Sequence, residues 1–309
     1  MLVTVRAIPA GGAVALALLL LASAAGAQRP DTARLHRTLD SLAAAHHGVV
    51  GYAVRDLDGG ARLSLRGDET FPTASLIKAA VLVTLYDLAE HGQISLDDPV
   101  TLLSIDKVGG SGALYNLHSG LTLSVRDAAQ LMIQLSDNTA TNLVIQKITL
   151  GRVAAKMDSL GLRATRVHHE VMLRQYTSMA RDSSERYGLG KTTPSEMAQL
   201  FALLAQGKAV SPKADSAMLA MLETNDDSEL LVRSLFNVRV AHKTGADDDV
   251  RTDCGLFYLK SRVVVCVFTK QNADQRWIVD NEPQRLMGRM GAEVALAFGT
   301  TGKGTVEKP

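Results

Sequence analysis

The chain has 309 residues, with 33 Lys and Arg against 32 Asp and Glu and 46% hydrophobic residues. That length supports one large domain or two closely packed ones. The near-zero net charge and the lack of a long basic run exclude a nucleic-acid binder driven by electrostatics. The 2 cysteines, without Cys/His companions at ligand spacing, exclude a zinc signature.

Arg6 precedes the apolar run AVALALLLLASAA at 13–25, and Ala25-Gly26-Ala27 follows as a small-x-small cleavage site. Residues 1–27 read as a secretory signal peptide cut before Gln28. The run is too short for a transmembrane helix, and no later stretch reaches spanning length. No Cys stands at the cut to carry a lipid. The mature part, about 280 residues with 32 charges of each sign once Arg6 is removed, is expected to be a periplasmic or secreted monomer without a membrane anchor.

Residues 32–46 have the apolar spacing of an amphipathic helix. VVGYAVRDL and ARLSLRG alternate around Asp58-Gly59-Gly60 and predict a β-hairpin. A helix is expected from Ser75 to about His91, closed by Gly92. Helical periodicity recurs at 124–135, 139–149, 194–206, where Pro194 suits a first turn, and 213–223. VRVAHKTG, TDCGLFYLK and RVVVCVFTK then read as three strands, and a final helix covers about 282–298. The polar tail TGKGTVEKP is expected to be disordered. The glycine-rich stretch 109–112 lacks the Gly-Lys-Ser/Thr of a phosphate loop and reads as an ordinary loop.

Both ends of the mature chain supply strands and the middle supplies helices. The predicted fold class is therefore α+β. A five-stranded antiparallel sheet with flanking helices is built from 28–70 and 212–299, and an all-helical domain from 71–211 is inserted into it. Residues 300–309 form the tail. Cys254 and Cys266 fall on adjacent strands. A two-residue turn near Lys260-Ser261 would pair 254 with 267 and send the thiols to opposite faces, which gives two buried free thiols. A one-residue bulge would instead allow the disulfide that export permits.

Three short motifs carry chemistry. Ser75-Leu76-Ile77-Lys78 opens a helix, Ser136-Asp137-Asn138 lies between two helices, and Lys243-Thr244-Gly245 lies on a strand; the spacings are 61 and 107 residues. Each alone is weak, while the three in this order and context form a strong signal. A lysine three residues after a serine can reach its hydroxyl from one helix face. A free serine needs such a base, and burial, the helix N-terminus and Lys243 all push an amine at Lys78 toward neutrality. His242 reads as a packing histidine, and His168 and His169 as loop residues.

On these motifs, and on the stretch LSDNTATNLVIQKI, the chain resembles the class A serine β-lactamases and related penicillin-recognising serine hydrolases. The resemblance implies an acyl-enzyme on Ser75 with Lys78 as base and no cofactor or metal. It implies an oxyanion hole from the backbone N–H groups of Ser75 and Ala246. Ser136 would relay a proton to the leaving nitrogen, Asn138 would bind the substrate amide, and Lys243, Thr244 and Arg251 would hold its carboxylate. Asp137 would anchor a loop. The implied partner is a small β-lactam. The family's deacylating glutamate has its candidate in Glu170, 34 residues after Ser136 in an ExxL match, with Arg174 where the family has Asn and Gly190 at the loop's neck. The favoured function is β-lactam hydrolysis. The alternatives are a D-Ala-D-Ala peptidase or slowly deacylating penicillin binder, and a non-β-lactam esterase.

Overall fold

The computed structural model describes residues 30–307. The leader expected at 1–27 lies outside the described residues. From Thr32 onward the chain forms one compact unit. Helix α1 (Thr32–Ala44) leads into the hairpin β1 (Val49–Asp56) and β2 (Arg62–Leu65). After the short β3 (Phe71–Pro72), a 3₁₀ turn at Ala74–Ile77 runs directly into α2 (Lys78–Glu90). Strands β4 (Pro99–Thr101) and β5 (Thr122–Ser124) pair, and α3 (Val125–Gln134), α4 (Asn138–Ile148) and α5 (Leu150–Ser159) follow. Strands β6 (Arg166–Val167) and β7 (Gly190–Thr192) close the neck of a long loop that holds α6 (Arg174–Thr177) and α7 (Arg181–Tyr187). Next come α8 (Pro194–Ala205), α9 (Pro212–Leu222) and β8 (Leu235–Phe236). The long strands β9 (Val240–Asp247), β10 (Val250–Tyr258) and β11 (Arg262–Lys270), then α10 (Glu282–Phe298) and β12 (Thr305–Val306), complete the chain.

The main sheet is antiparallel with strand order β2-β1-β11-β10-β9. Its two faces explain the nearly unbroken apolar run of β11. Val263, Val265 and Val267 pack with Tyr52 and Phe257 against Leu39 of α1 and Met287, Met290 and Val294 of α10. Val264, Cys266 and Phe268 face the other way, into a core shared with α2, α3, α4, α8 and α9. Alternating residues are thus all buried because both faces are covered. Phe268 is fully buried there, and truncating such a side chain to alanine costs about 3–5 kcal/mol.

Helix ends follow the polar residues that precede them. Ser124, Asp137, Thr193, Ser211 and Asn281 each accept a backbone N–H of the first turn of α3, α4, α8, α9 and α10, satisfying donors that the helix leaves open. Helix α2 is buried on nearly every side, as a helix apolar all round must be. Helix α5 has no counterpart among the predicted elements. It starts where Thr149 adopts φ 67° and turns the chain away from α4.

Two expectations are corrected. Tyr258 pairs with Arg262 across the β10–β11 turn, so the turn spans Leu259, Lys260 and Ser261 rather than two residues. The added residue shifts the register by one and sets Cys254 directly opposite Cys266, and the two form a disulfide instead of free thiols. The tail is not disordered throughout. Thr305 and Val306 pair with Phe236 and Leu235, giving the polar segment a backbone partner that its side chains do not advertise.

Candidate active site

Ser75 lies in the 3₁₀ turn that feeds α2, half-buried between the buried Ala74 and Leu76. The Lys78 N–H donates to the Ser75 carbonyl across that turn. Lys78 is itself fully buried. Its Nζ lies 2.6 Å from the Ser136 carbonyl, 2.9 Å from Asn138 Oδ1 and 3.2 Å from Ser136 Oγ. The structure therefore brings the lysine of the first motif onto the serine and asparagine of the second. Burial pushes the Lys78 amine well below the usual lysine range; Lys243 adds to the shift and Asp137 opposes it.

The loop before α4 is held in an unusual shape. Ser136 has φ 53°, and Ala74, just before Ser75, has φ 44°. Left-handed backbone at residues with a Cβ costs about 1–3 kcal/mol and tends to mark functional segments. Asp137 fixes this geometry rather than facing the site. One carboxylate oxygen accepts from Ala140 N at 2.8 Å, the other from Ala113 N at 2.6 Å and Leu114 N at 2.8 Å. Asn138 Nδ2 donates to the Gly109 carbonyl at 3.0 Å, which docks the glycine-rich loop beside Lys78.

Strand β9 forms the wall opposite. A Cβ on Gly245 would lie 2.4 Å from the Thr73 carbonyl and 2.8 Å from Leu76 N, so only glycine lets the strand seat against the Ser75 turn. Lys243 is fully buried and donates to the Thr244 carbonyl at 3.1 Å. Burial lowers it to about 8, against the opposing pull of Asp227 and Asp253. Ala246 lies beyond Gly245 on this edge strand, exposed and opposite Arg251. An edge strand leaves alternate N–H groups without a strand partner. Arg251 shares the sheet face of Thr244. Its guanidinium donates to the Asp247 and Val250 carbonyls and lies 4.6 Å from the Trp277 ring centre.

Glu170 is not brought to this cluster. Its carboxylate accepts from Gln146 Nε2 at 3.1 Å on the exposed side of α4. The next residue, Val171, is buried, and Asn142 grips its main chain: Val171 N donates to Asn142 Oδ1 at 2.7 Å, and Asn142 Nδ2 donates to the Val171 carbonyl at 3.1 Å. Asn138, Asn142 and Gln146 are spaced by four and form one stripe along α4. Asn138 meets Lys78, Asn142 meets Val171, and Gln146 meets Glu170. Glu170 is thus bound eight residues, about 12 Å of helix, from Asn138. Among the described residues Glu170 makes no hydrogen bond to Lys78, Ser136 or Asn138, and the buried Val171 is held one turn nearer Asn138 along α4.

His242 is buried on β9 as the packing histidine expected, with Nδ1 3.1 Å from Asp253 Oδ1. Sequence reasoning passed over two further contributors. Asn142 was discernible as a second asparagine one turn after Asn138. Trp277 over Arg251 joins residues far apart in sequence, and no local spacing announces it. His168 and His169 lie in the loop after β6, as expected, and both are buried there; burial lowers both. Among the described residues no cluster of three or more His, Cys, Asp or Glu could hold a metal, and no helix is long and apolar enough to cross a membrane.

Residues 34–298 match the Beta-lactamase enzyme family. The chain belongs to this family. Its relatives include Beta-lactamase L2 of Stenotrophomonas maltophilia, 29% identical over 80% of this chain and 83% of that one. Among solved structures, a β-lactamase of Sphaerobacter thermophilus superposes with a TM-score of 0.76 at 29% identity, covering 87% of this chain and 98% of that one. PBP-A superposes equally well, with a TM-score of 0.76 at 26% identity over 87% and 97% of the two chains. The α+β architecture with its five-stranded antiparallel sheet is the architecture of these β-lactamase-family structures.

Proposed function

We propose that this β-lactamase-family chain is a serine hydrolase that opens the β-lactam ring through an acyl-enzyme on Ser75. The observation that carries the reading is the buried amine of Lys78 in contact with Ser136 and Asn138, one turn from Ser75 and walled by Lys243. A neutral amine has two hydrogens and one lone pair. The Ser136 carbonyl and Asn138 Oδ1 can only accept, so they take the two hydrogens. The lone pair then faces Ser136 Oγ or the Ser75 hydroxyl.

In this reading Lys78 takes the proton of Ser75 as Oγ bonds to the lactam carbonyl carbon. The backbone N–H groups of Ser75 and Ala246 hold the developing oxyanion. The lactam C–N bond then breaks, and the nitrogen receives a proton from the Ser136 hydroxyl, which Lys78 replenishes. Asn138 accompanies the substrate amide, and Lys243, Thr244 and Arg251 hold the substrate carboxylate. The chain acts as an exported monomer after cleavage near Ala27. Incubation with benzylpenicillin should give one acyl adduct by intact mass, absent in Ser75→Ala. An adduct retained in that variant overturns the assignment.

The outward Glu170 and the apolar Val171 favour a second reading of the same site. Acylation proceeds as above, but no carboxylate stands ready to activate the hydrolytic water, so the acyl-enzyme persists. The chain would then behave as a penicillin binder or D-Ala-D-Ala peptidase, a reading supported by its likeness to PBP-A. Steady turnover of nitrocefin favours the hydrolase, and a stoichiometric burst favours the binder.

A further inference from the structure

The long loop between β6 and β7 is fastened at one residue. His168, directly after β6, is buried. Its main chain joins both limbs of the loop: its N–H donates to the Leu189 carbonyl at 2.8 Å, and its carbonyl accepts from Met179 N at 2.9 Å. Its ring does the same, with Nδ1 2.9 Å from the Gly188 carbonyl and Nε2 2.9 Å from Ser183 Oγ on α7. Among the described residues no ion pair crosses the neck of the loop. Gly190 has no side chain to offer, and Arg166 is paired with Asp158 of α5 at 2.5 Å. Gly190 abuts the Ser75 turn: its carbonyl accepts from Thr73 N at 3.0 Å, and a Cβ there would lie 2.9 Å from Ile77 Cγ1.

These partners fix the protonation of the rings. A carbonyl only accepts, so His168 Nδ1 carries the hydrogen, and Nε2 keeps its lone pair for the Ser183 hydroxyl. His169 is set the same way. Its Nδ1 donates to the Glu170 carbonyl at 2.7 Å, and its buried Nε2 has no hydrogen-bond partner among the described residues. A second proton would place a buried charge on either ring, and on His169 it would find no acceptor. Burial lowers His168, the Gly188 carbonyl pulls the other way, and Lys191 of β7 and His169 lower it further. Burial likewise lowers His169 against the Glu170 and Gly188 carbonyls, and Arg174 of α6 adds to the fall. Asp247 of β9, which approaches Gly188, and the exposed Arg181, Asp182, Glu185 and Arg186 of α7 do not act on either ring.

We propose that His168 and His169 form an acid latch: as neutral rings they hold the β6–β7 loop closed against the Ser75 turn, and on protonation they release residues 168–189 while the main sheet stays folded. His168 is thereby a positioning residue that acts on the site through Gly190. That consequence rests on Ser75 being the acylated serine; the latch itself does not. The direction with pH follows from proton binding. In the open loop both rings meet water and take up protons near about pH 6.5, whereas in the closed loop they resist. Below that value the open state binds more protons, so closure is fully supported above it and lost as pH falls.

Amide hydrogen exchange of the full mature chain tests this without substrate. The opening constant is read in peptides spanning 168–189, corrected for the intrinsic pH dependence of exchange. From about pH 7.5 to about pH 5.5 it should rise about tenfold for each ring released, with the protection of β9, β10 and β11 unchanged. His168→Asn keeps a donor for the Gly188 carbonyl but cannot titrate, so its rise should be about tenfold smaller than that of wild type. His168→Asn/His169→Asn should show no rise. Ser183→Ala leaves both histidines in place and removes the donor to Nε2, which should raise opening about fivefold at neutral pH. Should the histidine variants fail to fold, the wild-type profile and Ser183→Ala decide. A flat wild-type profile, a rise that survives in the double variant, an equal loss of protection in the main sheet, or exchange in Ser183→Ala identical to wild type overturns the inference. A chain that shows the latch and yet takes no acyl group from benzylpenicillin would lose the proposed function alone.

Discussion

Asn142 holds Val171 by its main chain alone, accepting from its N–H at 2.7 Å and donating to its carbonyl at 3.1 Å. The Val171 side chain takes no part in the grip. The loop's anchor on α4 and the chemistry of the residue anchored there are therefore separate properties.

This separation sets contrasting expectations for two adjacent positions. Glu170→Gln should leave both acylation and hydrolysis of benzylpenicillin within about twofold of wild type, since a positioned general base is worth about 10²–10⁴-fold and Glu170 is not positioned. Val171→Glu should speed deacylation by at least tenfold while leaving acylation nearly unchanged. Single-turnover kinetics read both steps. A hundredfold loss of hydrolysis in Glu170→Gln would restore Glu170 as the base.

The two buried lysines give the pH profile a shape. Lys78 must be neutral to accept a proton, and its depressed value keeps the acid limb of acylation below the ordinary lysine range. In the proposed mechanism Lys243 would hold the substrate carboxylate only while charged, and burial lowers it to about 8. KM for carboxylate-bearing substrates should therefore rise above pH 8, while a neutral ester substrate shows no such limb. Stability moves the other way. An unfolded lysine keeps its proton to about pH 10.4, so between pH 8 and that value the unfolded state binds more protons and stability rises with pH. Lys243→Met should flatten that rise in denaturant midpoints taken at successive pH values.

Arg251 offers a test of substrate grip. Its guanidinium is anchored by two main-chain carbonyls and stacked on Trp277, so it is preorganised on the sheet face of Thr244. Arg251→Ala should raise KM for penicillins with little change in kcat, by an amount corresponding to about 1.5–3 kcal/mol for a charge-assisted hydrogen bond. Trp277→Ala should give a smaller change in the same direction, about 0.5–1 kcal/mol for an exposed cation–π contact. An equal loss with neutral substrates counts against the carboxylate role.

The disulfide has a direct assay. Unfolded, unreduced protein should show no thiol reactive with Ellman's reagent, and reduction should release two per chain, from Cys254 and Cys266. With a sequence separation of 12 residues, the link constrains the unfolded chain by about 3 kcal/mol. Cys254→Ala/Cys266→Ala should lower unfolding free energy by about that amount. Free thiols in the oxidised protein would refute the pairing.

The sequence was most informative where periodicity and polar punctuation agree. The hairpin around Asp58-Gly59-Gly60, the strands of KTG and its neighbours, and the helix opened by Asn281 all stand within a few residues of their predicted bounds. The three short motifs in order marked Ser75, Lys78, Ser136 and Asn138 as one site. The contacts of Lys78 with Ser136 and Asn138 are details that the spacing, which expects Lys78 at the Ser75 hydroxyl, does not specify. What escaped was register. One residue in the Leu259–Ser261 turn decided the fate of both cysteines. One residue in the loop decided whether Glu170 or Val171 turned inward, and irregular backbone carries no period from which to read that. The seating of Trp277 on Arg251 depends on how distant segments fold together.

The Asn142 bracket has a consequence for descent. Because it binds only N–H and C=O, it tolerates replacement of the side chain it presents. Some valine codons become glutamate codons through one base change. If Val171→Glu speeds deacylation as expected above, a lineage with this site could pass between holding an acyl group and releasing it without rebuilding the loop, its neck or its anchor. The change would fall on a bracket that grips only main-chain atoms.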